Sequence, residues 1–330
     1  MKLKRHVFLM YCGFGPGKKE YRKWNTVEVE PVLVYRNAES TDSFFPAVLF
    51  LALISGKGRS LIPGFGAPGN KEDWLAWIDD VLLPGHNLEA VARTVENHKL
   101  PPVDVWVSLP YPDKAQKDFG HIAERHLDFK RNDDRILSLK WWINRFLAAW
   151  HAKIKAGGLH RYISLKGFYW PAERMTLKDR LLLPDLISYI RSIGFKTLWI
   201  PYYAASHFLN ITNPGFDITV IQPNYLQKPA LGWDRLKKTA QKAKKYRTGI
   251  EIELDTAAVY KNSPQYRVVL DYLNRGLPEF EGYMTCPFLA YYTGYKTILQ
   301  LYNNKSPLYT YLYRFVKGTL KKVNYLGIPY

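Results

Sequence analysis

Residues 249–255 read GIEIELD. Side chains of an extended chain alternate between two faces, so Glu251, Glu253 and Asp255 share one face and Ile250, Ile252 and Leu254 the other. On a half-exposed antiparallel strand three acids in a row would cost nothing. The flanking segments point elsewhere. Before it, Trp233, Leu236, Ala240 and Ala243 fall on one helical stripe, with Lys237, Lys238, Gln241, Lys242 and Lys245 around it. After it, Val268, Val269 and Leu273 form the apolar stripe of a second helix over 265–274. Helix, strand, helix predicts a parallel sheet covered on its faces, which takes the acids out of open water.

The same alternation runs along the chain. Strands are predicted at 6–12, 47–54, 103–109, 162–169, 197–201, 218–222, 249–254 and 282–286. Helical patterns lie at 74–82, 88–97, 136–155, 177–193, 233–246, 265–274, 295–302 and 308–321. The irregular first connection, 14–43, has room for a hairpin at 27–34. Eight strands with outer helices make a (β/α)8 TIM barrel, a fold of about 250 residues plus insertions. Residues 1–330 then form a single domain with irregular βα-loop insertions, for no Ser/Gly linker, composition break or repeat divides them. An open doubly wound sheet is the alternative.

Composition narrows the function classes. No apolar run approaches the roughly 20 residues that span a bilayer, so no membrane span is expected. The start, MKLKRHVFLMYCGFG, puts basic residues before apolar ones, but its short apolar stretch with no small-residue cleavage site reads better as a first strand. As given, the chain reads as cytoplasmic; it would be secreted or cell-surface if a signal peptide had been removed. Cys12 and Cys286 form neither a disulfide framework nor a metal pair. Forty-seven basic against 29 acidic residues give +18, which favours an anionic polymer or surface as partner. The densest basic run, RLKKTAQKAKKYR, lies on the polar face of an amphipathic helix, and no nucleic-acid motif accompanies it; nucleic acid is an unlikely partner.

In a barrel the outer helices take Ile250, Ile252 and Leu254, and the three acids point inward, where branched aliphatics are the rule. Glu251, the deepest, needs a basic partner such as Lys166 or stays protonated. The fourth strand supplies another acid: in YISLKGFYWPAE, Glu173 lies just past the strand end at Pro171. Acids after strands four and seven resemble the retaining barrel glycosidases, in which strand four carries the acid/base and strand seven the nucleophile. One carboxyl protonates the leaving oxygen while the other attacks the anomeric carbon or activates water, so the two must face each other. Glu173 is the expected general acid/base and Glu253 the nucleophile or second carboxylate. Asp255 and Glu251 are the substitutes if the register differs. A cap or salt bridge near the following helix is the competing reading of Glu173, ranked second.

Aromatic and amide side chains at the strand ends suit a sugar: Tyr169, Trp170, Tyr202, Tyr203, Gln222, Asn224, Tyr225, Tyr291 and Tyr292. Some of them must simply plug the barrel. Asp217 precedes its strand and ranks below the others. The ordered motifs GFYWPAE, LWIPYYAA, GFD with QPNY, GIEIELD and AYYTGY, together with YCGF and VWVSLPYP, resemble the bacterial family of domain of unknown function 4855. The resemblance implies kinship with barrel glycosidases and an association with bacterial surfaces.

Other chemistries are weaker. His121 and His126 in HIAERH are off the spacing that puts two metal ligands on one helix face. There is no GxSxG elbow and no dinucleotide-type phosphate loop, and GFGPG and GFGAPG read as turns. The expectation is a glycoside hydrolase that acts on a bacterial poly- or oligosaccharide, an anionic one among the candidates, through two carboxylates at the C-terminal mouth, with no cofactor and no metal. A non-catalytic glycan-binding or cell-surface barrel is the competing reading.

Overall fold

The computed structural model describes residues 3–18, 20–37, 41–205 and 215–324. Eight parallel strands close into a barrel: β1 (His6–Phe14), β2 (Ala47–Ala52), β3 (Val103–Ser108), β4 (Ile163–Trp170), β5 (Lys196–Trp199), β6 (Ile218–Ile221), β7 (Gly249–Glu253) and β8 (Leu289–Tyr292). They pair in chain order, and the ring closes where His6, Val7 and Phe8 of β1 meet Leu289, Ala290 and Tyr291 of β8. Outside lie α1 (Thr26–Leu33), α2 (Lys71–Val81), α3 (Asn87–Asn97), α4 (Asn132–Gly157), α5 (Leu177–Ser192), α6 (Asp234–Tyr246), α7 (Pro264–Arg275), α8 (Thr297–Asn303) and α9 (Pro307–Lys317). Among the described residues no helix is long and apolar enough to cross a membrane.

The period-two pattern sorts the strands into two cores, with β4 changing phase at a bulge where Val105 pairs with Leu165 and Trp106 with Gly167. Ile250, Ile252 and Leu254 pack outward into the helix layer, with Phe8, Val48 and Phe168 from other strands. Long helices complete that layer: α4 sends Trp142, Phe146 and Trp150 inward, with Phe146 edge-on to Phe168 at 5.9 Å. Each such large side chain, fully buried, contributes about 1.5–3 kcal/mol. The inward positions form a second cluster of Val7, Leu9, Leu49, Leu51, Trp106, Tyr169, Leu198 and Val220. Gly249, which begins the quoted stretch, is inward too, and a Cβ there would stand 2.2 Å from the Phe288 carbonyl oxygen. Only glycine lets the neighbouring backbone come so close.

Three expectations need correction. Residues 27–34 are not a hairpin: α1 occupies 27–33, begun by a capping box in which Asn25 and Glu28 each accept the other's backbone N–H at 3.0 Å, and the antiparallel pairing of this connection comes after it, between Val34–Arg36 and Thr41–Ser43. The alternation of VEVE imitates a strand, but two satisfied helix-end donors and the burial of Val29, Val32 and Leu33 win. The eighth strand is not 282–286 but Leu289–Tyr292; Gly282 has φ +71°, and a 3-10 turn at Tyr283–Thr285 follows. Lys166 does not pair with Glu251. It lies at the barrel floor, 3.3 Å from Asp104, whose other oxygen accepts the Lys4 backbone N–H at 3.0 Å.

Candidate functional site

A cavity of about 380 Å³ opens at the C-terminal mouth of the barrel. Its floor and walls are inward residues of the strand ends. Leu9 and Tyr11 come from β1, Leu51 from β2, Tyr169 from β4, Glu251 from β7 and Tyr292 from β8. Glu173, Ile200, Gln222 and Asn224 enter from the loops after β4, β5 and β6. Arg22, Phe65, Gln227 and Tyr295 complete the rim.

Glu251 pairs in register with Ala290, so its side chain shares the inward parity of Val7 and Ala290. It is 2% exposed, and its Oε2 is buried without a hydrogen-bond partner. Burial pushes its pKa well above the usual carboxylate range, and the nearby Glu253 and Glu173 carboxyls push it further. Both causes favour its protonated form. Glu173 stands where the chain leaves β4, its surface open to the cavity while protein crowds the carboxyl from most sides. Burial raises its pKa, against the pull of a hydrogen bond from Gln222 and the charge of Arg174. Its own backbone carbonyl accepts the Tyr202 N–H at 3.2 Å, which ties the loop after β4 to the end of β5.

Glu253 also has inward parity but does not line the cavity. Its Oε1 accepts the Asn224 N–H at 2.6 Å, and its Oε2 accepts the Leu226 N–H at 3.1 Å and the Tyr272 hydroxyl of α7 at 2.7 Å. The Tyr225 N–H joins them, and Asn224 takes a left-handed φ of +57° so that successive N–H groups converge. Such a backbone nest is a ready anion site, and this one is filled by the protein's own carboxylate. Burial pushes Glu253 up to about 7 in spite of those donors. Asp255 does not line the cavity either: it caps the turn Thr256–Val259, accepting the Ala257 N–H at 2.9 Å.

The expected sugar-binding residues divide by parity. Tyr169, Gln222, Asn224 and Tyr292 line the cavity. Trp170, Tyr225 and Tyr291 do not. Trp170 pairs in register with Trp199 and faces the helix layer, against Tyr111. Tyr291 sits level with Phe8 and Ile252, also outward, and hydrogen-bonds His6 Nδ1 at 2.7 Å. Tyr225 is buried and donates to Asp271 at 2.8 Å. Tyr202 and Tyr203 lie outside the cavity on its β5 side, beneath cations: Arg174 is 4.8 Å from the first ring, and Arg235 and Lys242 are 4.1 and 3.9 Å from the second. Asp217 lies at the opposite end, accepting the Thr197 N–H at 2.9 Å.

Among the polar and aromatic residues of the cavity, Tyr11, Arg22, Phe65, Gln227 and Tyr295 escaped the sequence reading. Tyr11 was legible, for it continues the alternation of Val7 and Leu9. Arg22 was not, because a two-residue antiparallel pairing, Phe14 with Tyr21 and Gly13 with Arg22, folds it back over the mouth.

The sequence profile of a family described as Domain of unknown function (DUF4855) matches residues 7–317. Among solved structures, PbGH5A, a glycoside hydrolase family 5 enzyme from Prevotella bryantii B14, is similar at 10% identity and a TM-score of 0.43, over 91% of this chain and 95% of that one. A mutant of the same enzyme in complex with a xyloglucan tetradecasaccharide gives 11%, 0.43, 91% and 96%. An engineered protein gives 11% and 0.42, over 88% of this chain and 63% of that one. The barrel itself rests on the strand order and its closure.

Proposed function

The chain belongs to the DUF4855 family, and from that premise and the cavity's chemistry we propose that it is a glycoside hydrolase whose reacting carboxyls are Glu173 and Glu251. One observation carries this reading: a buried carboxyl with an unpartnered oxygen lines the same open cavity of small-molecule size as a second carboxyl whose charge it feels. A buried acid without a counter-charge does nothing for stability. It is explained by a reaction that needs one protonated and one ionised carboxyl.

Like charges in one low-dielectric cavity cannot both ionise, so the pair holds a proton between its members. Glu173, reached by water at the rim, serves the leaving glycosidic oxygen as general acid. The proton on Glu251 passes to Glu173, which gives it to the leaving oxygen as the glycosidic bond breaks and the Glu251 carboxylate bonds the anomeric carbon; water, deprotonated by Glu173, then displaces Glu251, and the proton returns to the pair. Tyr11, Tyr169 and Tyr292 offer ring faces and hydroxyls to the sugar, and Gln222 and Asn224 offer amides. Glu253, the first choice from sequence, has both oxygens committed to the loop after β6 and acts by holding Asn224 in place.

The test is product release from bacterial polysaccharides by the wild type and by Glu173→Ala and Glu251→Ala, with and without azide. Azide should restore turnover to Glu251→Ala by occupying the carboxylate's place. Rescue of Glu173→Ala alone would exchange the two roles. Tight glycan binding with no product from the wild type would instead establish the glycan-binding reading.

A further inference from the structure

The mouth is not electrically uniform. Its acids stand at the β4 and β7 ends, while the wall formed by the loop after β1 carries the arginine Arg22. Its guanidinium lies over the Tyr295 ring at 4.6 Å, and its Nε is buried without a hydrogen-bond partner. No carboxylate among the described residues pairs with it. The nearby Lys296, by contrast, is held by Glu28. The backbone makes room for this arginine: a Cβ on Gly15 would stand 2.8 Å from Nη2 and 2.9 Å from Cζ. A half-buried, stacked guanidinium with free donor capacity, lining a cavity, is built to receive an anion.

The cationic character continues outside the cavity on its β5 side. The Tyr202 and Tyr203 backbone N–H groups bond the carbonyls of Glu173 and Gln222, so these two rings and their cations flank the cavity's own residues. Arg235 also donates to the Pro223 carbonyl at 3.2 Å, one residue from Asn224. Cations stacked on tyrosines thus border the mouth on the side away from Arg22.

We propose that the glycan bears negatively charged substituents, carboxylate or phosphate, one received by Arg22 inside the cavity and the next by Arg174, Arg235 and Lys242 along the rim. This deepens the glycosidase reading and rests on it for the identity of the cavity. In the glycosidase reading the two acids share a proton, so the mouth carries one negative charge against the four cations Arg22, Arg174, Arg235 and Lys242. The charge of +18 adds long-range attraction for the same polymer.

The test is calorimetric binding to the full chain, which needs no turnover. The probes are polygalacturonate oligosaccharides with their carboxyl-reduced counterparts, and glycosylated poly(glycerol phosphate) with the free neutral glycoside. One charged probe should bind about tenfold or more tighter than its neutral partner, and the pair that does so identifies the anion. Arg22→Gln should abolish that preference, Arg22→Lys should keep part of it, and Gly15→Ala, which displaces the guanidinium while retaining its charge, should weaken it a few-fold. Melting curves of the three variants separate misfolding from lost recognition. Equal binding of charged and neutral probes, binding of no charged probe, or a preference that survives Arg22→Gln overturns the proposal. Charge-selective binding without product release would leave it standing and remove hydrolysis; release from neutral glycans alone would do the reverse.

Discussion

The two ends of the barrel treat their acids in opposite ways. At the floor, Asp104 is answered by the Lys166 ammonium and the Lys4 N–H. Asp217 is answered by the Thr197 N–H and hydroxyl, with Arg191 3.2 Å away. At the mouth, Glu251 keeps an oxygen without a donor, and Glu173 has the Gln222 amide. Pairing an acid holds the fold together; leaving it unpaired keeps it available. Barrels of this class place stability at the N-terminal face and chemistry at the C-terminal face, and the contrast follows that division. Glu253 belongs with the floor in this sense, although it lies on the mouth side.

Substitutions can break the contrast. Glu251→Gln should cost about 10³-fold or more in turnover while the melting temperature holds or rises, because a neutral amide replaces a carboxyl whose charged form is disfavoured. Retained activity would place Glu251 among the structural acids. Asp104→Ala should do the converse. It leaves a buried ammonium short of its counter-charge and should lose about 3–5 kcal/mol in denaturant unfolding, with turnover per folded molecule unchanged. Glu253→Gln should cost about 1–3 kcal/mol, since its amide hydrogens would confront backbone donors. Turnover should fall less than for Glu251→Gln, through displacement of Asn224.

The smallest effect sharpens the comparison through pH. Glu253 titrates near 7 in the folded chain against an ordinary value of 4.5, so the native state binds more protons than the unfolded state between those values. Its contribution to stability is therefore full below about 4.5 and is lost as pH rises through about 7. His6 works in the other direction: burial lowers it from 6.5 to about 3, so its contribution is lost as pH falls through that interval. The difference between wild-type and Glu253→Gln unfolding curves isolates the carboxyl, and a difference independent of pH from 4 to 8 would refute its assignment.

Much of this architecture was legible because period-two runs followed by amphipathic helices leave few alternatives to a barrel. The failures have local causes. VEVE alternates like a strand, and only the Asn25 and Glu28 cap reveals the helix. GYMTC is apolar enough for a strand, yet LAYY is the segment that pairs with both β1 and β7. At the site, Glu173 and Glu251 could be named from their positions. Nearness to a strand end was a poor guide to the rings: Trp170 and Tyr291 are one residue out of phase with their inward neighbours Tyr169 and Tyr292. The choice between Glu251 and Glu253 could not be read at all, for both point inward. It turns on the nest formed by Asn224, Tyr225 and Leu226, a matter of backbone torsion in another loop.

The ring closes between the first and the last of its strands, so during synthesis Glu173 and Glu251 emerge from the ribosome before the staves that will enclose them are complete. Until Leu289–Tyr292 dock, these acids remain hydrated and ionised like those of any open chain. Closing the barrel is therefore what draws both carboxyls out of water, and the proposed pair comes into being only when the last strand seals the first.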